Sequence, residues 1–485
     1  MTTEYDVIVI GAGVVGPCIA TALARQGRSV LIIERDWSRP DRIVGELMQP
    51  AGVKALKELG MINAINDINA IDCTGYYIQY YNDHVTIEYP FKDVAQVTNP
   101  VRPLGKEYKL RSDSSIDVTK WDNDERVRGI AFHHGDFLQN LRSICKNEPN
   151  VTAIEGTVIK LVRECNDTVV GVSGKLQKDE NFQHRAKLVI SCDGIYSKFR
   201  SALGEDNVPS IGSYFVGFYL EDAKLPAPNK GHVLLGDHAP VLIYQVSPGE
   251  TRVLCAFRST KPPSAARNEI YNYLQKEVLP VIPKELYPAF KIAVEKKKFR
   301  VMPNQYLSAK KQNQRGLILL GDSLNMRHPL TGGGMTVGLN DAVLLARLLD
   351  PKSVEDLDDY DLVQEKLTIF HRKRKNLDAV INTLSIALYS LFAADKKPLK
   401  ILQRGCFKYF ERGGDCVDGP IGLLSGVLPF PMLLFNHFFS VAFYSIYLNF
   451  IDRGVLFPLA IWEAIEVLFT AIVIFTPYLW TELVQ

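Results

Sequence analysis

The motif Gly11-Ala-Gly13-Val-Val-Gly16 constrains this chain more than any other stretch. It follows Asp6–Ile10, a short β-branched run that reads as a buried strand, and it opens Val15–Gln26, which reads as a helix. Ser29–Glu34 reads as the next strand, completing a β-α-β unit. Glycines at these positions permit a tight turn, close approach of the backbone to a pyrophosphate, and tight packing of helix on strand. The helix N-terminus offers N–H donors and a partial positive charge to phosphate. Glu34 ends the second strand with a carboxylate able to accept from ribose hydroxyls. A glycine motif standing alone is often an ordinary turn. Between a strand and a helix, with an acid closing the next strand, it predicts a dinucleotide site.

Two later motifs bear on which dinucleotide. Ser191-Cys-Asp193-Gly194 follows a short apolar strand, Lys187–Cys192. Gly321-Asp322-Ser323 follows another, Gly316–Leu320, and leads to Pro329-Leu-Thr-Gly332-Gly333-Gly334-Met335. A lone Asp-Gly pair is commonly a turn. All three motifs in this order suit FAD, whose ribityl chain and ring extend well beyond a mononucleotide site. Asp322 is placed to bond ribityl hydroxyls. The Gly332–Met335 backbone, opening a helix expected over Met335–Arg347, can stabilise negative charge on a reduced flavin.

Segments resembling the first unit are thus spread over more than 300 residues. The stretches between them, about 75–125 and 210–305, are rich in Tyr, Phe, Val and Pro. The fold expected is α/β: a Rossmann-like FAD-binding domain (1–75, 127–209 and 310–350) interleaved with a β-rich substrate domain (76–126 and 210–309). C-terminal, membrane-associated helices (351–485) follow, with Lys366–Phe410 helical in pattern. A length of 485 residues fits two or three domains. With 47% hydrophobic and 23% charged residues, global disorder is excluded. A net charge of +2 gives no bulk attraction to nucleic acid. Lys296–Lys298 and Arg300 read as a solvated helix end, with anionic lipid as the less favoured contact.

The eight cysteines form no CxxC, and no His/Cys cluster has zinc spacing, so no metal is expected. Reduced thiols and the lack of a signal peptide before the first strand point to a cytosol-facing body. The glycosylation patterns at Asn150 and Asn166 are discounted accordingly. The far end differs sharply. Pro420–Phe450 holds no Asp, Glu, Lys or Arg, and Val455–Trp480 is nearly as apolar. Each is longer than the roughly 20 residues a bilayer crossing needs. Pro429 and Pro431 interrupt the first, however, and Glu463 and Glu466 sit within the second, where a carboxylate in lipid is costly. Two helices embedded in one leaflet are expected rather than a transmembrane hairpin.

The motifs resemble flavoprotein monooxygenases of the aromatic-hydroxylase type, and more closely the squalene epoxidases, fungal members in particular. The blocks that carry the likeness are Asp41-Arg42-Ile-Val-Gly45-Glu46-Leu-Met-Gln49-Pro50, Phe132-His133-His134-Gly135, Asp193–Arg200, Gly321–Met335, Tyr389–Asp395 and Arg412–Cys416. They span nearly the whole chain. The resemblance implies FAD contacts at Val14, Val15, Glu34, Arg35, Arg42, Arg142, Val158, Asp322 and Met335, beside Gly11, Gly13, Gly16 and Asp193. It places Tyr76 near the substrate and inhibitor pocket, where its hydroxyl could hold a neighbouring side chain or orient a pocket group without ionising. The sequence departs from the family pattern at Asp136, where many members have a basic residue, and at Ala51, where many have glycine.

The resemblance further implies epoxidation of squalene to (S)-2,3-oxidosqualene, with O2 activated as a flavin C4a-hydroperoxide, in ergosterol synthesis. Electrons are expected from NADPH through NADPH–cytochrome P450 reductase, at the cytosolic face of the endoplasmic reticulum or on lipid droplets. The cofactor carries the oxygen chemistry, so His133 and His134 read as packed or capping residues rather than bases. Tyr89-Pro-Phe91 and Tyr214–Phe218 are candidate walls for a substrate with no polar handle. Two rival readings are a hydroxylase or reductase acting on another polyprenyl lipid, and a flavin-free lipid escort module. The intact glycine loop, Glu34 and Asp322 argue against the second.

Overall fold

The structure is a computed structural model that describes residues 4–98, 100–104, 125–177, 179–259, 261–264 and 267–484. Residues 105–124 of the insertion expected over 76–126 lie outside the described residues.

The first sheet is built from runs too apolar to face water on either side. Val7–Val9 and Val30–Ile32 are entirely buried, as strands of a parallel sheet covered on both faces must be. Its parallel order is Val151–Glu155, Val30–Glu34, Glu4–Ile10, Arg185–Ser191 and Leu317–Leu319. Strands Val151–Arg163 and Asn181–Ser191 outrun this sheet. Their far ends pair with Val169–Leu176 as an antiparallel meander. The first helix, Val15–Arg25, ends one residue earlier than the sequence reading, with Gln26 as its C-cap. The strands bring three loops to one carboxyl edge: Gly11–Gly16, Cys192–Gly194 and Gly321–Ser323. Ligands bind at this edge in open α/β sheets.

The second sheet has seven strands, in the order Arg300–Tyr306, Ser210–Glu221, Glu250–Phe257, Val241–Ser247, Lys230–Leu235, Gly75–Tyr80 and Asp83–Glu88. Only Lys230–Leu235 with Gly75–Tyr80 is parallel. Side chains alternate between two apolar layers, as the period of two requires. Phe215 and Leu254 join a core shared with the C-terminal helices, through Phe392, Phe407, Val441 and Val467. Val216 and Val253 pack the other face, against Leu274, Phe290 and Val294.

The helical stretch expected over Lys366–Phe410 is two helices, Tyr360–Ala393 and Lys397–Phe410. Ala394 is left-handed at φ 44°, Lys396 is extended, and Pro398 sits in the first turn of the second helix, where no backbone N–H is needed. Pro429 and Pro431 do interrupt the first apolar stretch: one helix, Asp415–Leu424, ends before them, and Pro431 opens the next, Pro431–Arg453, at its first turn, where no backbone N–H is needed. The last helix is Phe457–Val484. Glu463 does not meet lipid, because it is buried and held by Asn449 (2.8 Å), Arg453 (2.8 and 2.6 Å) and Lys397 (2.6 Å). Glu466 accepts from Trp462 Nε1 at 3.1 Å on the outer face. Trp462, Phe469 and Trp480 are 61%, 67% and 67% exposed there, an aromatic surface uncovered by the body.

Candidate active site

The glycine loop is shaped by two close contacts. A Cβ on Gly16 would stand 1.9 Å from Gly11 O, and one on Gly11 would stand 2.6 Å from Cys192 O. Only glycine lets the helix sit this close to the first strand and the Asp193 loop. Gly13 is different: a Cβ there would meet nothing within 4 Å. Its backbone faces open space, as a cradle for a pyrophosphate must. Val15 lies between the loops, 3.1 Å from a Cβ on Gly321 and 2.7 Å from one on Gly338. Val14 is the N-cap residue of the helix.

Glu34 is fixed by its surroundings. Its carboxylate accepts from Ala12 N–H at 2.6 Å and Asp36 N–H at 3.1 Å. Buried Arg142 donates to Ala12 O (2.9 Å) and Ser38 O (2.8 Å), and stands 3.9 Å from Glu34. Burial pulls the Arg142 pKa down, Glu34 and Asp36 raise it, and Arg42 lowers it again. Arg42 is exposed and makes no hydrogen bond to the described residues. Two guanidinium groups near enough to repel each other, one of them uncommitted, form a site suited to an anion. Arg35 is exposed beside Asp36, and Val158 is buried on the strand Val151–Arg163. Neither joins this set of hydrogen bonds.

The other two motifs are tied together by a residue the sequence reading did not single out. Arg200 donates to Gly194 O, Ile195 O, Asp322 O and Ser323 O, all at 3.1–3.2 Å. Its sequence signal is its place at the end of the Asp193–Arg200 block, six residues after Gly194. Asp193 accepts from Ser191 Oγ (2.6 Å) and Lys198 N–H (3.1 Å), closing its own turn. Asp322 is half-buried, and its carboxylate makes no hydrogen bond to the described residues. Burial raises its pKa, opposed by Arg327, Arg42 and Arg200. A carboxylate at the strand edge with unused acceptors fits the hydroxyls of a ribityl chain. Beyond it, Gly332 is left-handed at φ 63°, and Gly333–Leu348 runs as a helix from which a Cβ on Gly334 would meet nothing. Met335 is buried in its first turn. Open backbone at Gly13, Gly194 and Gly334, with free polar groups at Arg42 and Asp322, fits FAD.

Tyr76 stands across from this loop in the second sheet. Gln49 Nε2 donates to Tyr76 OH and to Thr331 O, both at 2.6 Å, while Gln49 Oε1 accepts from Tyr89 OH at 2.7 Å. All these groups are buried. Burial pushes the Tyr76 phenol above its ordinary pKa, so it stays neutral and acts by holding Gln49. Gln49, named in the Asp41–Pro50 block but given no role there, therefore joins the Tyr76–Tyr89 pair to the Pro329–Gly334 segment.

His133 and His134 are packed groups. His134 Nδ1 lies 3.0 Å from Gly45 O, which can only accept, so Nδ1 carries the proton. Burial lowers its pKa to about 4. His133 bridges Tyr219 OH (3.2 Å) and Glu250 (2.7 Å). Beside them the fully buried Arg252 clasps Glu46 in a bidentate pair at 2.7 and 2.9 Å, with Tyr219 OH donating to Glu46 at 2.8 Å. A polar cavity of about 260 Å³, lined by Arg39, Arg42, Glu46, His133, Tyr219 and Glu250, opens here.

The fold and its three converging loops are those of the FAD-dependent monooxygenases. The chain superposes on p-nitrophenol 4-monooxygenase PnpA from Pseudomonas putida with a TM-score of 0.67, at 16% identity, covering 88% of this chain and 99% of that one. It superposes on the flavin-dependent brominase Bmp2 with a TM-score of 0.65, at 16% identity, covering 93% and 100%. Residues 6–40 match the FAD dependent oxidoreductase family, and residues 185–462 match the squalene epoxidase family. The chain is 70% identical to the squalene epoxidase of Candida albicans over 100% of both. It is 52% identical to that of Saccharomyces cerevisiae (100% of this chain, 97% of the relative) and 39% identical to the squalene monooxygenase of Mus musculus (99% and 78%). The chain belongs to the squalene epoxidase family.

Proposed function

We propose that this chain epoxidises squalene to (S)-2,3-oxidosqualene with O2 and NADPH-derived electrons, in ergosterol synthesis. One oxygen atom joins the terminal alkene. The other leaves as water with two electrons and two protons. Bound FAD supplies the reduction of O2 that makes an oxygen electrophilic enough for an alkene. The observation that carries the substrate is the position of Leu330. It belongs to the proposed flavin loop, yet it packs in the apolar cluster that continues through Phe392, Phe407 and Val441 to the C-terminal helices. A hydrocarbon with no polar group needs such a wall, running from the reacting edge towards a lipid surface.

In this reading Gly11, Gly13, Val14, Val15 and Gly16 cradle the pyrophosphate, and Glu34 and Arg35 take the adenosine end. Arg42 and Arg142 offset phosphate charge, Val158 packs beside the adenosine, and Asp193 shapes the second loop. Asp322 binds the ribityl chain, and Met335 with its preceding glycines meets the ring. Tyr76, through Gln49, holds Thr331 and closes the loop side of the pocket without offering a titrating group. Both ends of the Gln49 amide are engaged, by Tyr76, Thr331 and Tyr89, which leaves neither of them to hold a water. Residues 1–75, 127–209 and 310–350 form the flavin domain, 76–126 and 210–309 the substrate domain, and 351–485 the anchoring region.

The exposed aromatic face of the last two helices supports embedding in one leaflet of the endoplasmic reticulum membrane from the cytosolic side, or in a lipid droplet surface. Electrons come from NADPH–cytochrome P450 reductase. The test is a reconstitution of purified protein, FAD, NADPH, the reductase, detergent and squalene under 18O2. A product heavier by one labelled oxygen is expected. A yellow protein that consumes no oxygen with squalene would sink the substrate assignment and leave the fold intact.

A further inference from the structure

One buried side chain of the Gly321–Met335 block has both ring nitrogens engaged, each towards a different part of the fold. His328 is only 5% exposed. Its Nδ1 accepts from Leu330 N–H at 3.2 Å and so caps the short turn Pro329–Thr331. A backbone N–H can only donate, so Nδ1 carries the lone pair and the proton of the neutral ring sits on Nε2. Nε2 lies 3.2 Å from Ser213 Oγ, to which it donates. Burial pushes the pKa of the ring down to about 3, which keeps it neutral.

The far side of this contact is the substrate sheet. Ser213 is fully buried on Ser210–Glu221, and its Oγ also accepts from Asn304 Nδ2 at 2.8 Å, on the neighbouring strand Arg300–Tyr306. The imidazole stacks on Tyr389 of the long helix, with ring centroids 4.1 Å apart and 24° between planes. Phe215 meets it edge-on at 5.4 Å. An apolar side chain would fill such a site without burying two nitrogens, a cost that only their hydrogen bonds offset.

The turn capped by His328 joins the hydrocarbon wall to the flavin loop. The Leu330 side chain packs in the apolar cluster with Phe215, Phe392 and Phe407. Its N–H is held by His328, and the next carbonyl, Thr331 O, is held by Gln49 at 2.6 Å. Gly332 then turns left-handed into the helix whose first turn carries Gly334 and Met335. The segment is fixed from the substrate sheet on one side and from the Tyr76–Gln49 pair on the other.

We propose that His328 is a positioning residue for oxygen transfer, holding the Leu330–Gly332 turn against the substrate sheet through Ser213 and so setting the distance between the alkene and the reacting edge of the flavin. It acts through Leu330 rather than by touching either reactant. The inference rests on Gly332–Met335 being the flavin loop and the Leu330 cluster being the hydrocarbon wall.

Losing the cap leaves Asp322 and the Gly11–Gly16 loop in place, so flavin stays bound and O2 is still reduced. What changes is the fate of the oxygen. With the alkene in place, one oxygen atom enters the epoxide and the other leaves as water. With the alkene out of reach, O2 takes two electrons from NADPH and two protons and leaves as H2O2.

The experiment uses full-length protein with FAD, NADPH, the reductase, detergent and squalene. It reads oxidosqualene formed per O2 consumed, beside H2O2 released, with the reductase-only rate subtracted. This ratio does not depend on how much of a variant folds. His328→Phe keeps a ring on Tyr389 but cannot accept from Leu330. Its ratio should fall at least about threefold, since a misplacement of about 1 Å can cost far more in a reacting geometry. Its FAD affinity should stay near native. His328→Asn, whose Oδ1 can accept from the same N–H as helix caps do, should recover part of the loss. Ser213→Ala removes only the grip of the sheet, so it should lower the ratio and be non-additive with His328→Phe. A native ratio in either His328→Phe or Ser213→Ala overturns the proposal. So does a His328→Asn no better coupled than His328→Phe. A native chain that turns over no squalene brings down the substrate reading, and the proposal with it.

Discussion

Gly13 and Gly16 belong to one motif, yet the structure gives them different work, and Gly13→Ala separates the two. A Cβ at position 13 meets no protein atom within 4 Å, and the residue's φ lies outside the left-handed range. The apoprotein should therefore hold its stability within about 0.5 kcal/mol. The same methyl would occupy the space over which a pyrophosphate lies. Backing the phosphate away by about 1 Å forfeits one or two charge-assisted hydrogen bonds from the loop, each worth about 1.5–3 kcal/mol. A loss of about 3 kcal/mol corresponds to roughly a hundredfold weaker FAD binding. Gly16→Ala instead drives its methyl to 1.9 Å from Gly11 O. Helix and strand must part, so the apoprotein itself should lose about 3 kcal/mol or more. The assay is thermal unfolding of stripped protein beside FAD titration by fluorescence quenching. Native FAD affinity in Gly13→Ala would refute the cradle, as would an apoprotein as unstable as Gly16→Ala.

Four further outcomes are expected. Gln49→Leu orphans two phenols and the Thr331 carbonyl, and should cost about 2–4 kcal/mol in urea unfolding of the flavin-loaded protein. Arg252→Ala leaves Glu46 buried without its partner and should cost about 3–5 kcal/mol, most of it recovered in the apolar double variant Arg252→Met, Glu46→Leu. His134 has a native pKa near 4, below its ordinary 6.5, so the unfolded chain binds the proton first. Its contribution is complete above pH 6.5 and is lost as pH falls towards 4, by up to about 3 kcal/mol. Unfolding across that range should show a shallower slope in His134→Asn than in the native chain. Of the two acids in the last helix, Glu463→Leu should speed proteolysis at the Arg453–Gly454 turn, while Glu466→Leu should leave it unchanged.

The local parts of the site were legible because each is a short motif with one physical purpose. Gly11–Gly16, Asp193 and Asp322 all fall at strand ends where the periodicity places them. The ends of the two helices that open at the glycine loops moved by a residue or two, as caps allow, while the long helix starts at Tyr360 rather than Lys366. What escaped were groups whose meaning lies in a distant partner. Glu46 pairs with Arg252, 206 residues away, and Arg200 reaches Ser323, 123 residues away. No spacing rule links such positions. Glu463 looked like a flaw in an apolar span because Lys397 and Arg453, which neutralise it, sit on other helices. Pro431 was legible for the opposite reason, since a proline that cannot sit in a helix interior starts one well, and the apolar stretch breaks just before it.

The flavin sheet gathers strands from Glu4 to Leu319, and its last loop closes at Met335. No shorter nascent chain holds a complete site. Pro431, where the paired tail helices begin, is synthesised roughly a hundred residues later, which at about 5–20 residues per second is on the order of ten seconds. The growing polypeptide thus has an interval in which all three motif loops have been made but its greasy end has not. The sheet and those loops can close in that interval without the apolar tail present to compete for their surfaces.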